Sequence, residues 1–319
     1  MKEIVAAWPQ LERQVRVQMD PTRNGALIEL FLKHLPYTVL QNHALVSGDH
    51  LYHTCPIPEL VHAKADYVEP DRTVTPDGTV FLSHLAHFGI KYGKLTEYLP
   101  AAPVGRVVEA DIPVLKEVGA LLWDSAYTSH GVVHSHVYEV AGDKTSGRYL
   151  PAPTRVSHPD VQALVEEILA EANRAATRAP EELVAIHKGH IRSRAGSKGQ
   201  YFTTMIFVNG EQRPLGYGAV GGLLSASRCA STSLDMLREI TPHFLKTPVA
   251  FLEYCGLHKQ SEYLMKVQEY LPLLRDKEEY HTLLAALYMY TNLLNSWNLH
   301  LFPWSAAGQN YRYSTEEAR

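Results

Sequence analysis

The side chains able to move a proton or hold an anion fall into four short runs. In the first, the turn Ser47-Gly48-Asp49 leads into His50, Tyr52 and His53. Strand alternation would put His50 and Tyr52 on one face and His53 on the other. In the second, Lys91, Lys94, Glu97 and Tyr98 surround the end of a strongly apolar strand, and in the third Arg106 follows Gly105. The fourth, from Trp123 and Asp124 through Tyr127 to His130, ends a helix; Asp124 and His130 would form an acid–base pair if the chain folds back. Imidazole, phenol and carboxylate groups suit proton transfer. Lysine and arginine suit carboxylate binding. The 17 histidines and 18 tyrosines supply many such groups, but neither count locates a site.

Other motifs carry less. Gly216-Tyr217-Gly218-Ala219-Val220-Gly221 matches G-x-G-x-x-G. A dinucleotide site needs that pattern directly after a parallel strand, and Gln212-Arg213-Pro214-Leu215 precedes it instead. A close-packing glycine turn is the expectation, with no nicotinamide. His134-Ser135-His136 with His130, and His84-x-x-His87 read on a helix, hint at metal. No H-E-x-x-H or cysteine-rich ligand set accompanies them, so no metal is expected.

The elements that must position these residues change character along the chain. Residues 12–19 alternate as a strand, 24–36 have helical spacing closed by Pro36, and strands are expected at 37–46, 50–54, 79–92 and 104–108. Many short strands around one early helix suggest a small barrel or a strongly bent sheet. Helices follow: one capped by Asp111, one by Ser157 with Pro159 in its first turn, and one from Pro180 to Gly189. Tyr201–Val208 reads as a strand turning at Asn209-Gly210, within an irregular stretch over 192–216. Helical spacing returns at about 220–240, 258–270 and 277–298. The tail after Trp304, with Tyr311 and Tyr313, is expected to be loosely held at its end. The fold class is therefore α+β: a β-rich domain over 1–112 and a mainly helical domain over 113–319 that pack closely.

Composition bounds the rest. With 319 residues, 45% of them apolar, the chain can bury two ordinary cores. A net charge of −4 gives no footprint for nucleic acid. No apolar run is long enough for a bilayer, and the N-terminus does not read as a signal peptide. Three scattered cysteines suit reduced thiols, so the expected location is the cytoplasm. Small molecules are the expected partners, and self-association into a homo-oligomer is left open.

Three segments carry a family resemblance. They are Ala26 to Pro36, Ser47 to His53, and Phe88-Gly89-Ile90-Lys91-Tyr92-Gly93 followed by Val104-Gly105-Arg106-Val107. Their order resembles the small bacterial cyclophilin-like barrels over the first third of the chain. A cyclophilin-like barrel followed by a helical bundle resembles the cucumopine synthase family. The resemblance implies an opine synthase without cofactor: L-histidine condenses with 2-oxoglutarate, and the imine is closed by an imidazole carbon in a Pictet–Spengler cyclisation.

Such chemistry asks for cations to hold carboxylates, an acid to help water leave, and a base for the ring proton. His53 or Tyr52 would transfer protons, Lys91 or Arg106 would bind carboxylates, and Asp49 or Glu97 would be the base. Asp124, His130 and Trp123 would contribute where the two halves meet, since ligand sites favour domain interfaces. The competing readings are a metal-dependent hydrolase or lyase built on the histidines, and a small-molecule-binding barrel without turnover.

Overall fold

The computed structural model describes residues 2–145, 147, 149–190 and 201–309. Nine antiparallel strands come first to the eye: β1 (Glu3–Trp8), β2 (Arg13–Met19), β3 (Tyr37–Leu40), β4 (Asn42–His43), β5 (Gly48–Thr54), β6 (Thr79–Ser83), β7 (His87–Leu95), β8 (Ala102–Val107) and β9 (His134–Glu139). Their order is β3-β9-β1-β2-β8-β6-β7-β5-β4. The two outermost strands, β3 and β4, are consecutive in the chain with only Gln41 between them, so the sheet nearly closes into a barrel.

Gln41 is the seam. Its Nε2 donates to the carbonyls of Asn42 and Tyr52 at 2.8 and 2.9 Å, and its Oε1 accepts from Trp8 Nε1 at 3.0 Å. A closed sheet leaves no unpaired edge, and here one buried amide replaces the missing ladder bonds. Helix α1 (Pro21–Leu32), capped by Asp20, turns Leu27, Ile28 and Phe31 into the interior, where Phe31 stacks on Phe88.

The sheet takes β9 from beyond the boundary expected at residue 112, and α2 (Ile112–Asp124) lies against β2 and β7. Gly119 lets α2 approach, because a Cβ there would come within 2.5 Å of the Tyr92 ring.

The remaining helices are α3 (Pro159–Ala175), α4 (Glu181–His187), α5 (Tyr201–Arg213), α6 (Gly221–Ser227), α7 (Leu234–Cys255), α8 (His258–Tyr270), α9 (Lys277–Leu301) and α10 (Trp304–Gln309). Helix α9 is buried on nearly every side, which suits the centre of a bundle. Asp276 caps it through the backbone N–H groups of Glu278 and Glu279. Helices α3, α5 and α6 pack around it, and a single apolar core runs through barrel and bundle.

Two expectations are corrected. Tyr201–Val208 is not a strand and Asn209-Gly210 is not a hairpin turn; both lie in α5. The buried residues there are Thr204, Met205, Val208 and Gln212, spaced for one helical face against α9. The β-branched and aromatic composition imitates a strand, and packing overrides it. His84 and His87 are not on a helix: His87 opens β7 and His84 sits in the turn before it. The part of the irregular stretch over 192–200 and the tail with Tyr311 and Tyr313 lie outside the described residues.

Candidate active site

Alternation along β5 sorts its polar groups. Leu51 and His53 turn into the barrel core, while His50 and Tyr52 turn outward toward the helices. His53 stacks on Phe88 with ring centres 5.1 Å apart. Its Nδ1 lies 3.3 Å from Gln41 Oε1, which can only accept, so Nδ1 carries the proton. Nε2 then accepts from the Tyr37 hydroxyl at 2.8 Å. Burial pushes the His53 pKa down to about 3.

Outside that wall, between barrel and bundle, is a cavity of about 530 Å³. From the barrel come His50, Tyr52, His87, Arg72, Glu97 and Ser47; from the bundle come Arg213, Tyr217, Asn295 and Trp304. Glu97 is the one carboxylate among its described lining residues. Arg72 Nη2 meets Glu97 Oε2 at 2.6 Å, and Ser47 Oγ donates to the same oxygen at 2.7 Å. Burial draws the Arg72 pKa down while Glu97 supports it.

At the bundle side, the Tyr217 hydroxyl lies 2.8 Å from His87 Nε2 and accepts from Asn295 Nδ2 at 3.5 Å. Arg213 sits over the Tyr217 ring at 5.8 Å. His87 packs on Tyr52 with ring centres 4.7 Å apart. Desolvation pushes His50 and His87 down to about 3, helped by Arg72 and Arg213 respectively. It raises Tyr52 to about 12 and raises Tyr217 further. At neutral pH these four rings are therefore uncharged hydrogen-bonding groups. The cavity's formal charges are two arginines and one glutamate, a balance that favours anionic ligands.

The family model described as the cucumopine synthase C-terminal helical bundle domain matches residues 161–301. The solved structure of McbB in complex with tryptophan superposes with a TM-score of 0.93 at 48% identity, covering 97% of this chain and 100% of that one. The chain belongs to the cucumopine synthase-like family. No curated protein matches it.

In this family member the residues singled out from sequence scatter. Glu97 and Tyr52 line the cavity. Lys91 stands behind it: only 5% exposed, its Nζ donates to the carbonyls of Thr73, at 3.0 Å, and Thr75. It thus anchors the short helical turn Arg72–Val74 that carries Arg72, and Asp71 holds the same turn through Thr73 N–H at 2.9 Å. Arg106 lies at the surface, bonded to the Asp77 carbonyl and Glu109. Trp123 stacks on Tyr127, which lines the cavity, at 4.9 Å. Asp124 and His130 do not pair: His130 Nδ1 meets the His300 carbonyl at 2.7 Å. Asp49 accepts from Lys94 N–H at 3.0 Å, outside the cavity.

Arg72, Arg213 and Asn295 carry no motif that names them, and Tyr217 lies in the glycine-rich run expected to be a close-packing turn, which is helical instead. Tyr217 had a signal of another kind. Pro214–Val220 forms a π-helical segment, a distortion frequent at functional sites. Gly216 in it faces Asn292 so closely that a Cβ would come within 2.2 Å of the Asn292 Oδ1. His134 and His136 diverge from His130, bonding Gln10 and Thr38. Among the described residues, no three His, Cys, Asp or Glu side chains gather to hold a metal ion, and no helix is long and apolar enough to cross a membrane.

Proposed function

We propose that this chain is a Pictet–Spengler-type synthase that condenses an aromatic amino acid with a 2-oxo acid in the cavity between barrel and bundle. One observation carries the reading: a single carboxylate, Glu97, held by Arg72 and Ser47, lies in a cavity with a second cation, Arg213. The full-length likeness to a protein solved with tryptophan supports an aromatic amino acid as the amine.

The reaction is a sequence of proton movements. The substrate α-amine attacks the oxo carbon, forming a C–N bond and a carbinolamine. The C–O bond then breaks and water leaves, giving an iminium ion. A carbon of the aromatic ring attacks that ion, closing a six-membered ring, and the ring proton departs. No electrons are gained or lost overall. Starting from the α-ammonium group, Glu97 relays two protons in turn from nitrogen to the oxo oxygen, one to make the carbinolamine hydroxyl and one to release it as water; it later takes the ring proton and passes it to the secondary amine of the product. Arg72 and Ser47 hold Glu97 in place. Arg213, which makes no ion pair with a described residue, binds a substrate carboxylate. Holding both reactants in one enclosed space supplies much of the rate.

L-tryptophan is the favoured amine on the full-length likeness. L-histidine with 2-oxoglutarate, the pair implied by the bundle family, is the competing arm. The purified protein is incubated with each amino acid and with 2-oxoglutarate, oxaloacetate or pyruvate, without nicotinamide, and products are read by mass spectrometry. The expected mass is the sum of the reactants less one water. Glu97→Gln should lower turnover by about 100-fold or more while amino-acid binding by calorimetry persists. Absence of that mass from every combination, or binding without turnover, rejects the synthase reading.

A further inference from the structure

His50 is 8% exposed, yet its ring makes no hydrogen bond to a described residue. Nε2 is shut away from solvent and unpartnered. The ring edge lies over Gly89, where a Cβ would come within 2.5 Å of Nε2, so only glycine leaves room for the imidazole. Orphaned buried N–H groups are rarer than under-satisfied acceptors. The neutral ring therefore keeps its lone pair on Nε2 and its proton on Nδ1, the nitrogen with access to the cavity. The unpaired lone pair on Nε2 is the cheaper of the two orphans, and the Nδ1–H donor is left uncommitted at the cavity.

Tyr52 stands two residues along on the same strand face. Its hydroxyl also makes no hydrogen bond to a described residue. The other polar groups nearby are engaged: Arg72 and Ser47 with Glu97, and His87 with Tyr217. His50 and Tyr52 are thus two uncommitted neutral donors with ring centres 6.5 Å apart. Both rings border the same cavity, so one ligand group can approach the two together.

We propose that His50 Nδ1–H and Tyr52 O–H form a two-donor cradle for the carbonyl oxygen of the oxo acid. This rests on the synthase reading above. As the amine nitrogen adds, the C=O π pair moves onto that oxygen, and the two donors stabilise the charge developing there. The oxygen takes one proton to become the carbinolamine hydroxyl and a second to leave as water. Both protons pass through Glu97, so His50 and Tyr52 end each cycle in the state in which they began. Such preorganised donors act most strongly in an enclosed site.

His50→Phe and Tyr52→Phe each remove one donor and keep a ring. Each should lower kcat/KM for the oxo acid by about 100-fold, with amino-acid affinity unchanged within twofold by calorimetry. A second readout isolates polarisation from packing. 2-Oxoglutarate carrying ¹³C at its keto carbon is bound to each protein, and its C=O stretch is read by isotope-edited infrared spectroscopy. The stretch should fall on binding to the wild type and recover toward the free value in both variants. Tyr52→Phe removes a single oxygen atom, so it keeps the test clear of misfolding at His50. If the wild type makes product while both variants keep kcat/KM within twofold, or if the bound stretch is not lowered, the cradle is refuted and the synthase reading stands. If the wild type makes no product, the synthase reading fails and the cradle falls with it.

Discussion

The most consequential difference between neighbouring residues is that between Tyr52 and His53. One lines the cavity and the other braces the barrel core, because adjacent strand residues point to opposite sides. That alternation was legible from sequence, including the shared face of His50 and Tyr52. Which face lines the cavity was not, because β5 is covered on both sides and composition does not distinguish core from cavity. Burial has a measurable consequence here. His50 and His53 titrate at about 3 in the folded chain against about 6.5 when unfolded. Between those values the unfolded chain binds protons that the native one refuses. Stability is therefore full above pH 6.5 and falls as pH drops toward 3. The slope reaches about 1.4 kcal/mol per pH unit for each such imidazole. Chemical denaturation from pH 8 to pH 5 should show this decline. A midpoint independent of pH across that range would mean that the two rings are not held neutral.

At the level of elements, the site depends on segments that carry no chemistry themselves. The short turn bearing Arg72 has no apolar stripe and little intrinsic stability. It is tied down by Lys91 from the strand beneath, opposite His50 in the β5–β7 register. A lysine beside an apolar strand end reads from sequence as an anion-binding group. The fold instead surrounds its ammonium with backbone carbonyls. Lys91→Met should leave the Thr73 and Thr75 carbonyls unpaired and let Arg72 drift from Glu97. The expected result is kcat lowered by about 100-fold with amino-acid affinity unchanged, and Lys91→Arg should recover part of the loss. Substrate affinity falling with kcat intact would instead make Lys91 a direct binding group. Helix α5 makes the same point about context. Its sequence imitates a strand and a hairpin, and only its face against α9 makes it helical.

The whole molecule is organised around two joins. One is the seam where β3 passes into β4, and the other is the contact between the outer barrel wall and the bundle. Gln41 serves the first join, with four hydrogen-bonding neighbours reached from one amide. Gln41→Ala strands the buried Trp8 and His53 N–H groups along with two carbonyls. That should cost about 3 kcal/mol, read as a shifted denaturation midpoint with the slope preserved. A cost below about 0.5 kcal/mol would show that the seam closes without it. The second join makes the cavity a property of both halves: His87 and Tyr217, 130 positions apart, share one hydrogen bond there.

Local regularities in the sequence determined the strand faces, the helices after Asp111, Ser157 and Pro180, and the family resemblance, because each rests on residues close in the chain; the expected caps fall otherwise, since Asp111 bonds Arg16 instead of its helix and His158, not Ser157, caps α3. The barrel-then-bundle order and the candidacy of Glu97 and Tyr52 followed from them. Tertiary structure alone decided that Arg72 and Arg213 face one cavity, that Lys91 and His53 support it from behind, and that Asp124 and His130 stay apart. The physical reason is that a site of this kind is a meeting of side chains across long loops of chain. Periodicity specifies which way a side chain leaves its own strand or helix. What waits on the other side is set by packing between elements, and no local pattern encodes it.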